Sequence, residues 1–360
     1  MIDQLLQVMA DGDTGKTAKL VKNVTSGKEA LAIYQAIFPV VQRVINPPYI
    51  NPHWPKAYRV CREFIPYLED EDIPALVRLE ILENTRKPKI DELPRAPVPG
   101  SPVSFPEIEK AIKQDDRQKV AALLDAFLLQ KGGVELARYL LLLGSGYLEN
   151  TLGHSVSCTA FILLEMLDRL DQDPWPALAT LADYFCKGQF AEMPAVSLTT
   201  LPAEETLNHH LLAAASGNGI LNLHHTITRY SIERVRRLVS DGEYAHLINR
   251  WIQFMGDKPA EPPSLILSRN PTPEYDGFYR IFSSRDESKV LSYLVGKIGT
   301  IKGRKILGRY LIKGVCDVYQ GDYDPHFLTG LGSALWVIER YHQQAPIAIN
   351  ALRQYVNYFL

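Results

Sequence analysis

No two cysteines sit close together in this chain. Cys61, Cys158, Cys186 and Cys316 are far apart and form no C-x-x-C pair, which argues against a disulfide framework, an iron–sulfur cluster or a zinc site made of thiolates. Buried, reduced thiols are the expectation. The Rieske spacing, C-x-H with a later C-x-x-H, is also missing. No apolar run approaches the roughly 20 residues of a membrane span; the best, Tyr139 to Leu143, is cut off by Gly144 and Gly146. Charge of one sign is not in excess either: 39 Lys and Arg face 41 Asp and Glu, a net of −2. That removes the global electrostatic case for nucleic acid or an anionic membrane as partner. The first residues, Met1 to Asp13, lack a basic stretch followed by an apolar one, so no export signal is visible. No G-x-G-x-x-G opens a helix, which leaves no readable flavin or nicotinamide Rossmann site. These absences lead to the expectation of a cytoplasmic protein acting on a small molecule. Its oligomeric state is not legible.

What is present is helical. Apolar residues make up 46% and charged residues 22%, a globular composition. Leu31, Tyr34, Ile37, Phe38 and Val41 keep the i, i+3, i+4, i+7 rhythm, and Leu123, Leu124, Phe127 and Leu128 repeat it. Only short stretches such as Ser264 to Ser268 alternate like a strand. The pattern predicts an all-α, bundle-like protein. Proline clusters at Pro47-Pro48, Pro174-Trp175-Pro176 and Pro262-Pro263 end the segments before them, because proline lacks the donor and clashes with the previous turn. Six prolines between Pro88 and Pro106 mark a connector. It divides an N-terminal helical segment (1–87) from a main body (107–360), as a linker or as a strap docked on that body. Ser104, Pro106 and Glu107 form a capping-box start for the body.

The most informative feature is a short repeat. His154, Ser157, Ala160 and Leu164 share their spacing with His225, Thr228, Ser231 and Val235, and with His326, Thr329, Gly332 and Trp336. The pattern reads H-x-[VIL]-[ST]-x-x-small-x-x-x-apolar. A looser copy begins at His210, where Ala213 replaces the hydroxyl. At 100° per residue the four positions fall at 0°, 300°, 240° and 280°, within about 120°, the width of one buried face. The small residue admits a neighbouring helix or a ligand. The hydroxyl can bond the ring or a carbonyl one turn earlier. Three such helices can bring three imidazoles into one interior, where they serve as bases, metal ligands or hydrogen-bond donors. His154, His225, His326, Ser157, Thr228 and Thr329 are therefore the candidate site residues. The plainer alternative is that each histidine is a satisfied core group in a duplicated helix. Of the neighbouring pairs His209-His210 and His224-His225, the register selects His225 and leaves His224 at a helix boundary or in solvent.

Leu152-Gly153-His154-Ser155 opening an apolar helix, after the helical stretch Phe105 to Leu143 and before the His225 and His326 segments, resembles the questin oxidase-like family. The resemblance covers most of the chain from about residue 30 and rests on short motifs. It implies a helical oxidoreductase, a monooxygenase of Baeyer–Villiger type that inserts oxygen beside a ring ketone of a polyketide-like aromatic using NADPH. Histidines with pKa near neutrality would supply acid and base. Two other readings stay open: a non-catalytic helical scaffold or ligand-binding protein, and a helical enzyme whose imidazoles hold iron or zinc.

Weaker signals point elsewhere. Gly12 to Thr17 looks like a P-loop but has Ala10 where glycine is needed and no preceding strand, so it reads as a turn. Glu243-x-x-His246 and Glu339-x-x-His342, with Glu149 and Glu165, have the composition of a di-iron site but sit at helix ends. Lys297, Lys302, Arg304, Lys305, Arg309 and Lys313 form an acid-free basic stretch, either a solvated helix face or a grip for a phosphate.

Overall fold

The helical rhythm becomes helix throughout. The computed structural model describes residues 2–45, 47, 49–90, 94–97, 100–196, 200–263 and 274–360, so the strand-like Ser264 to Ser268 lies outside it. Before the connector come α1 (Ile2–Ala10), α2 (Thr14–Val21), α3 (Gly27–Ala36), α4 (Phe38–Val41), α5 (His53–Arg62) and α6 (Ile73–Arg86). After it come α7 (Phe105–Lys113), α8 (Arg117–Lys131), α9 (Gly133–Ser145), α10 (His154–Leu167), α11 (Trp175–Gly188), α12 (Glu204–Ser216) and α13 (Gly219–Arg234). The chain closes with α14 (Asp241–Met255), α15 (Tyr275–Ser283), α16 (Glu287–Val295), α17 (Ile301–Asp317), α18 (His326–Tyr341) and α19 (Ala345–Phe359). Among the described residues there is no strand; Val44 and Lys89 form an isolated antiparallel bridge. No helix among them is long and apolar enough to cross a membrane.

Local chemistry accounts for the helix starts. Ser104 donates its backbone N–H and its hydroxyl to the Glu107 carboxylate, at 2.9 and 2.8 Å, at the head of α7. The Gly12–Thr17 stretch is the turn between α1 and α2, where Asp13 caps by accepting from the Lys16 N–H at 2.9 Å. The connector is held where it is described. Pro88 and Ile90 hydrogen-bond to Ile45 and Arg43, while Val103 and Ser101 are both tied to the Gln130 side chain of α8.

Four helices form the frame of the site. α5 packs on α10, α10 on α13, α13 on α18 and α18 back on α5, closing a ring. All four run the same way. Their early residues meet at one end, and about two turns later Phe161 packs on Tyr230 at 5.2 Å while Val60 lies against Gly332. Glycine is required at Gly332, since a Cβ would strike Val60, and again at Gly153. α10 is buried on every side from His154 to Met166, which its nearly continuous apolar run allows. One wall of the ring, α5, comes from the N-terminal segment, and its core side chains belong to the same cluster as those of the main body.

The far end is locked by charge. Glu165, fully buried, accepts from Arg59 at 2.9 Å, Arg62 at 3.0 Å and Arg169 at 2.6 Å. The basic stretch of α17 is likewise largely paired within the molecule. Arg304 meets Glu339, and Arg309 and Lys313 meet Asp72.

Candidate metal centre

Histidine opens three of the four ring helices. His53, His154 and His326 are the first residues of α5, α10 and α18, preceded by Pro52, Gly153 and Pro325. Gly153 adopts a left-handed φ of +77°, and a Cβ there would collide with the Thr228 hydroxyl, so both conformation and space demand glycine. His224 comes from the second turn of α13, which starts earlier, at Gly219.

The four rings converge edge to face. Nε2 of His154 lies 2.7 Å from Nε2 of His53 and 3.1 Å from Nε2 of His224, and Nε2 of His224 lies 3.1 Å from Nε2 of His326. The ligand atoms of His53, His154 and His326 all fall within 4.8 Å of one another. Every Nδ1 is engaged: with the carbonyl of Asn51 at 3.1 Å, of Thr151 at 2.6 Å and of Ile220 at 2.6 Å, and with the Asp324 carboxylate at 2.6 Å. Those oxygens only accept, so each Nδ1 carries the proton and each Nε2 is left with a lone pair. Four lone pairs then face one another, which is unfavourable unless something positive lies between them. With metal–nitrogen bonds of about 2.1 Å, ligand nitrogens stand about 3.0 to 3.4 Å apart in octahedral or tetrahedral geometry, and the three closest nitrogen pairs stand at or just inside that spacing.

Electrostatics keep the imidazoles neutral. Burial holds His53, His154 and His224 well below the ordinary histidine range, reinforced by one another and by Lys56. Burial lowers His326 as well, against the opposing pull of Asp324. Three helix N-termini point their positive ends at the same spot, a further bias against imidazolium. Asp324 also accepts from the His326 N–H at 2.9 Å and the Tyr358 hydroxyl at 2.6 Å, giving one histidine a carboxylate orienter. Lys56, one turn into α5 and fully buried, places its ammonium 3.4 Å from the Ser157 hydroxyl, and burial pulls its pKa down.

A cleft of about 560 Å³ opens above the imidazoles, lined by all four histidines together with Asn51, Asn150, Thr151 and Ile220. Tyr49, Ile50 and Leu152 stand exposed at its rim, an apolar entrance. Lys87 and Asp322 pair across one side at 2.6 Å.

The structure redistributes the expected site residues. His154 and His326 meet, as two of four. His225 does not join them: its ring packs on Phe254 at 4.7 Å, its Nδ1 lies 3.1 Å from the Lys258 ammonium, and burial pushes its pKa down to about 4. His224, expected at a boundary or in solvent, is the inward residue, because packing on α10 and α18 turns that face of α13 to the interior. His53 was not among the expected residues. Ser157 faces Lys56, and Thr228 donates to the His224 carbonyl at 2.7 Å, one turn back along the helix. The Thr329 hydroxyl is buried without a partner among the described residues. The Glu-x-x-His units are spent elsewhere: Glu243 on Arg138 and the α14 cap, His246 on Ser145, Glu339 on Arg304, and His342 on its own helix. Glu149 pairs with Arg250, and Glu165 with its three arginines.

Compared with protein-family models, with curated proteins and with solved structures, the chain matches none.

Proposed function

We propose that this chain is a metal-dependent oxidoreductase that holds one transition-metal ion on His53, His154, His224 and His326 and acts on an apolar, ring-bearing small molecule in the cleft above them. The observation that carries this reading is the set of four facing Nε2 lone pairs whose Nδ1 partners leave them no proton. Imidazole donors suit iron, copper, nickel and zinc. When bound, such an ion would supply open positions where substrate and oxygen are polarised and brought together.

The residues themselves favour a particular substrate. Four neutral ligands leave the full charge of a divalent ion in place, and three helix N-termini add to it. A ring compound that enters as an enolate or phenolate offsets that charge. Tyr49, Ile50 and Leu152 receive its apolar body, and Asn51 and Asn150 offer amides to its polar edge. Asp324 fixes the His326 ring. Lys56, beneath the imidazoles, has no carboxylate in ion-pair contact among the described residues and keeps further cations out.

The resemblance to the questin oxidase-like family supports oxygen insertion over hydrolysis. In that reaction a ketone, O₂, NADPH and a proton give an ester, water and NADP⁺: one oxygen atom enters the ring and the other leaves as water. A scaffold whose histidines only join helices is disfavoured, since it would gain nothing from lone pairs set against lone pairs. The test is oxygen uptake by protein reconstituted with ferrous ion, offered a panel of aromatic ring ketones and phenols with and without NADPH. Substrate-dependent uptake that disappears in His224→Ala is expected. A well-folded, metal-loaded protein without uptake on any of them would overturn the oxidoreductase assignment.

A further inference from the structure

The opposite end of the same helix ring carries a second hollow, away from the histidines. Its outer part, about 560 Å³, lies among Arg59, Arg62, Asp168, Arg234 and Lys305. Its inner part, about 180 Å³, is a slot walled by Phe64, Tyr67, Tyr230, Leu335 and Trp336 with Gly332 beside them. The two parts share Glu63, Tyr67, Arg234 and Glu339, so one runs into the other.

The carboxylates of this hollow are already taken. Glu63 accepts from Arg234 at 2.9 Å and from the Tyr230 hydroxyl at 2.6 Å. Asp168 takes Arg59 at 2.7 Å and Arg237 at 3.1 Å, and Glu339 takes Arg304 at 2.8 Å. What is left over is positive. Arg59 is only 8% exposed and spends Nη1 on both Glu165 and Asp168, while its Nε is buried with no partner among the described residues. Lys305 stands exposed at the mouth, in no ion pair among the described residues. The start of α17 also borders the opening through Ile301, with Lys305 one turn on, adding a positive helix end. A surplus of positive charge beside an aromatic slot suits one kind of ligand.

We propose that this hollow is a second binding site, for a planar aromatic ring that carries an anionic group. The ring enters the slot alongside Tyr67, Tyr230 and Trp336, where face and edge contacts are available. The anion stays in the outer part, held by Arg59, Arg62 and Lys305. Phosphate and carboxylate meet the same requirement, so a nucleotide and an aromatic acid are the two sources. Because α5, α10, α13 and α18 each span from this hollow to the imidazoles, a ligand here would bear on both ends of the ring.

Calorimetric titration of the full chain with adenosine monophosphate and, separately, with 2-naphthoate tests the site, with tryptophan fluorescence as a second readout. Saturable 1:1 binding of at least one probe below millimolar concentration is expected, weakened about tenfold by Lys305→Glu and weakened by added salt. Adenosine monophosphate alone would identify the ligand as nucleotide-like, and naphthoate alone as an aromatic acid. His224→Ala should bind as the parent does, which separates this hollow from the histidine cleft. No binding of either probe, unchanged affinity in Lys305→Glu, or loss of binding in His224→Ala would overturn the proposal.

Discussion

The two ends of the α5–α10–α13–α18 ring are built from the same helices and carry opposite chemistry. At the N-terminal end, four imidazoles are kept neutral and their lone pairs face one another. At the C-terminal end, arginines surround a buried carboxylate and nearly every charge is matched. Helix polarity accounts for part of the difference, since positive helix ends repel cations and negative ends attract them. Satisfaction accounts for the rest. The arginine end is complete as a structural lock, with a surplus only at its outer hollow. The histidine end, on the reading proposed above, takes an added cation whose four ligand bonds outweigh that repulsion.

Several substitutions break or sharpen this contrast. The largest effect is expected at the histidine end, where a metal that binds only the folded chain stabilises it by about 4 kcal/mol at a thousandfold excess over its dissociation constant. Melting with added ferrous or zinc ion should show that rise in the parent and none in His154→Ala; an equal rise in both would place the metal elsewhere. At the other end, Glu165→Ala leaves Arg59 and Arg169 without their buried partner, a loss of about 3 to 5 kcal/mol by denaturant titration. A loss below about 1 kcal/mol would mean the arginines are held by something other than this carboxylate.

Glu80, on α6 behind the ring, calibrates the comparison as a buried carboxylate without a cation. Burial pushes its pKa up to about 7, against the opposing pull of hydrogen bonds from the Cys61 thiol and from the Asn84 amide at 3.0 Å. Its folded pKa is above the unfolded value, so the folded state holds the proton that the unfolded chain releases. The stability this proton confers is complete below about pH 4.5 and is lost as pH rises through about 7. Glu80→Gln should therefore gain about 3 kcal/mol on the parent between those limits and hold a constant difference above them. A difference that does not change with pH would show that Glu80 is ionised throughout.

The smallest effect is expected at Thr329, whose hydroxyl is buried without a partner among the described residues. Thr329→Val removes an unmet polar group and should be neutral or stabilising by about 1 kcal/mol. A clear loss of stability would reveal a bonded hydroxyl.

Much of this was legible in the residues. Apolar spacing foretold the all-α class, and Ser104 with Glu107 marked a helix start that the structure contains. His154 and His326 stood out through the repeat of histidine, hydroxyl and small residue that they share. The repeat misled at α13, where matching His225 to the template fixed a face by local similarity alone. That helix begins five residues before His224, and contacts with α10 and α18 decide which side turns inward. His53 escaped because Trp54-Pro55-Lys56 breaks the hydroxyl template. The signal that would have found it is the Pro52-His53 start, shared in kind with Pro325-His326. The basic stretch of α17 could not be interpreted locally, since Glu339 and Asp72, which pair with it, lie far away in sequence.

The measurement that bears most directly on the histidine centre is metal stoichiometry in two neighbouring variants. Elemental analysis of the parent after loading with ferrous or zinc ion and desalting should find about one ion per chain. His225→Ala should keep it and His224→Ala should lose it, although the two residues are adjacent. A parent that holds no metal, or a pair of variants that behave alike or the other way round, would contradict a centre built on the four facing imidazoles.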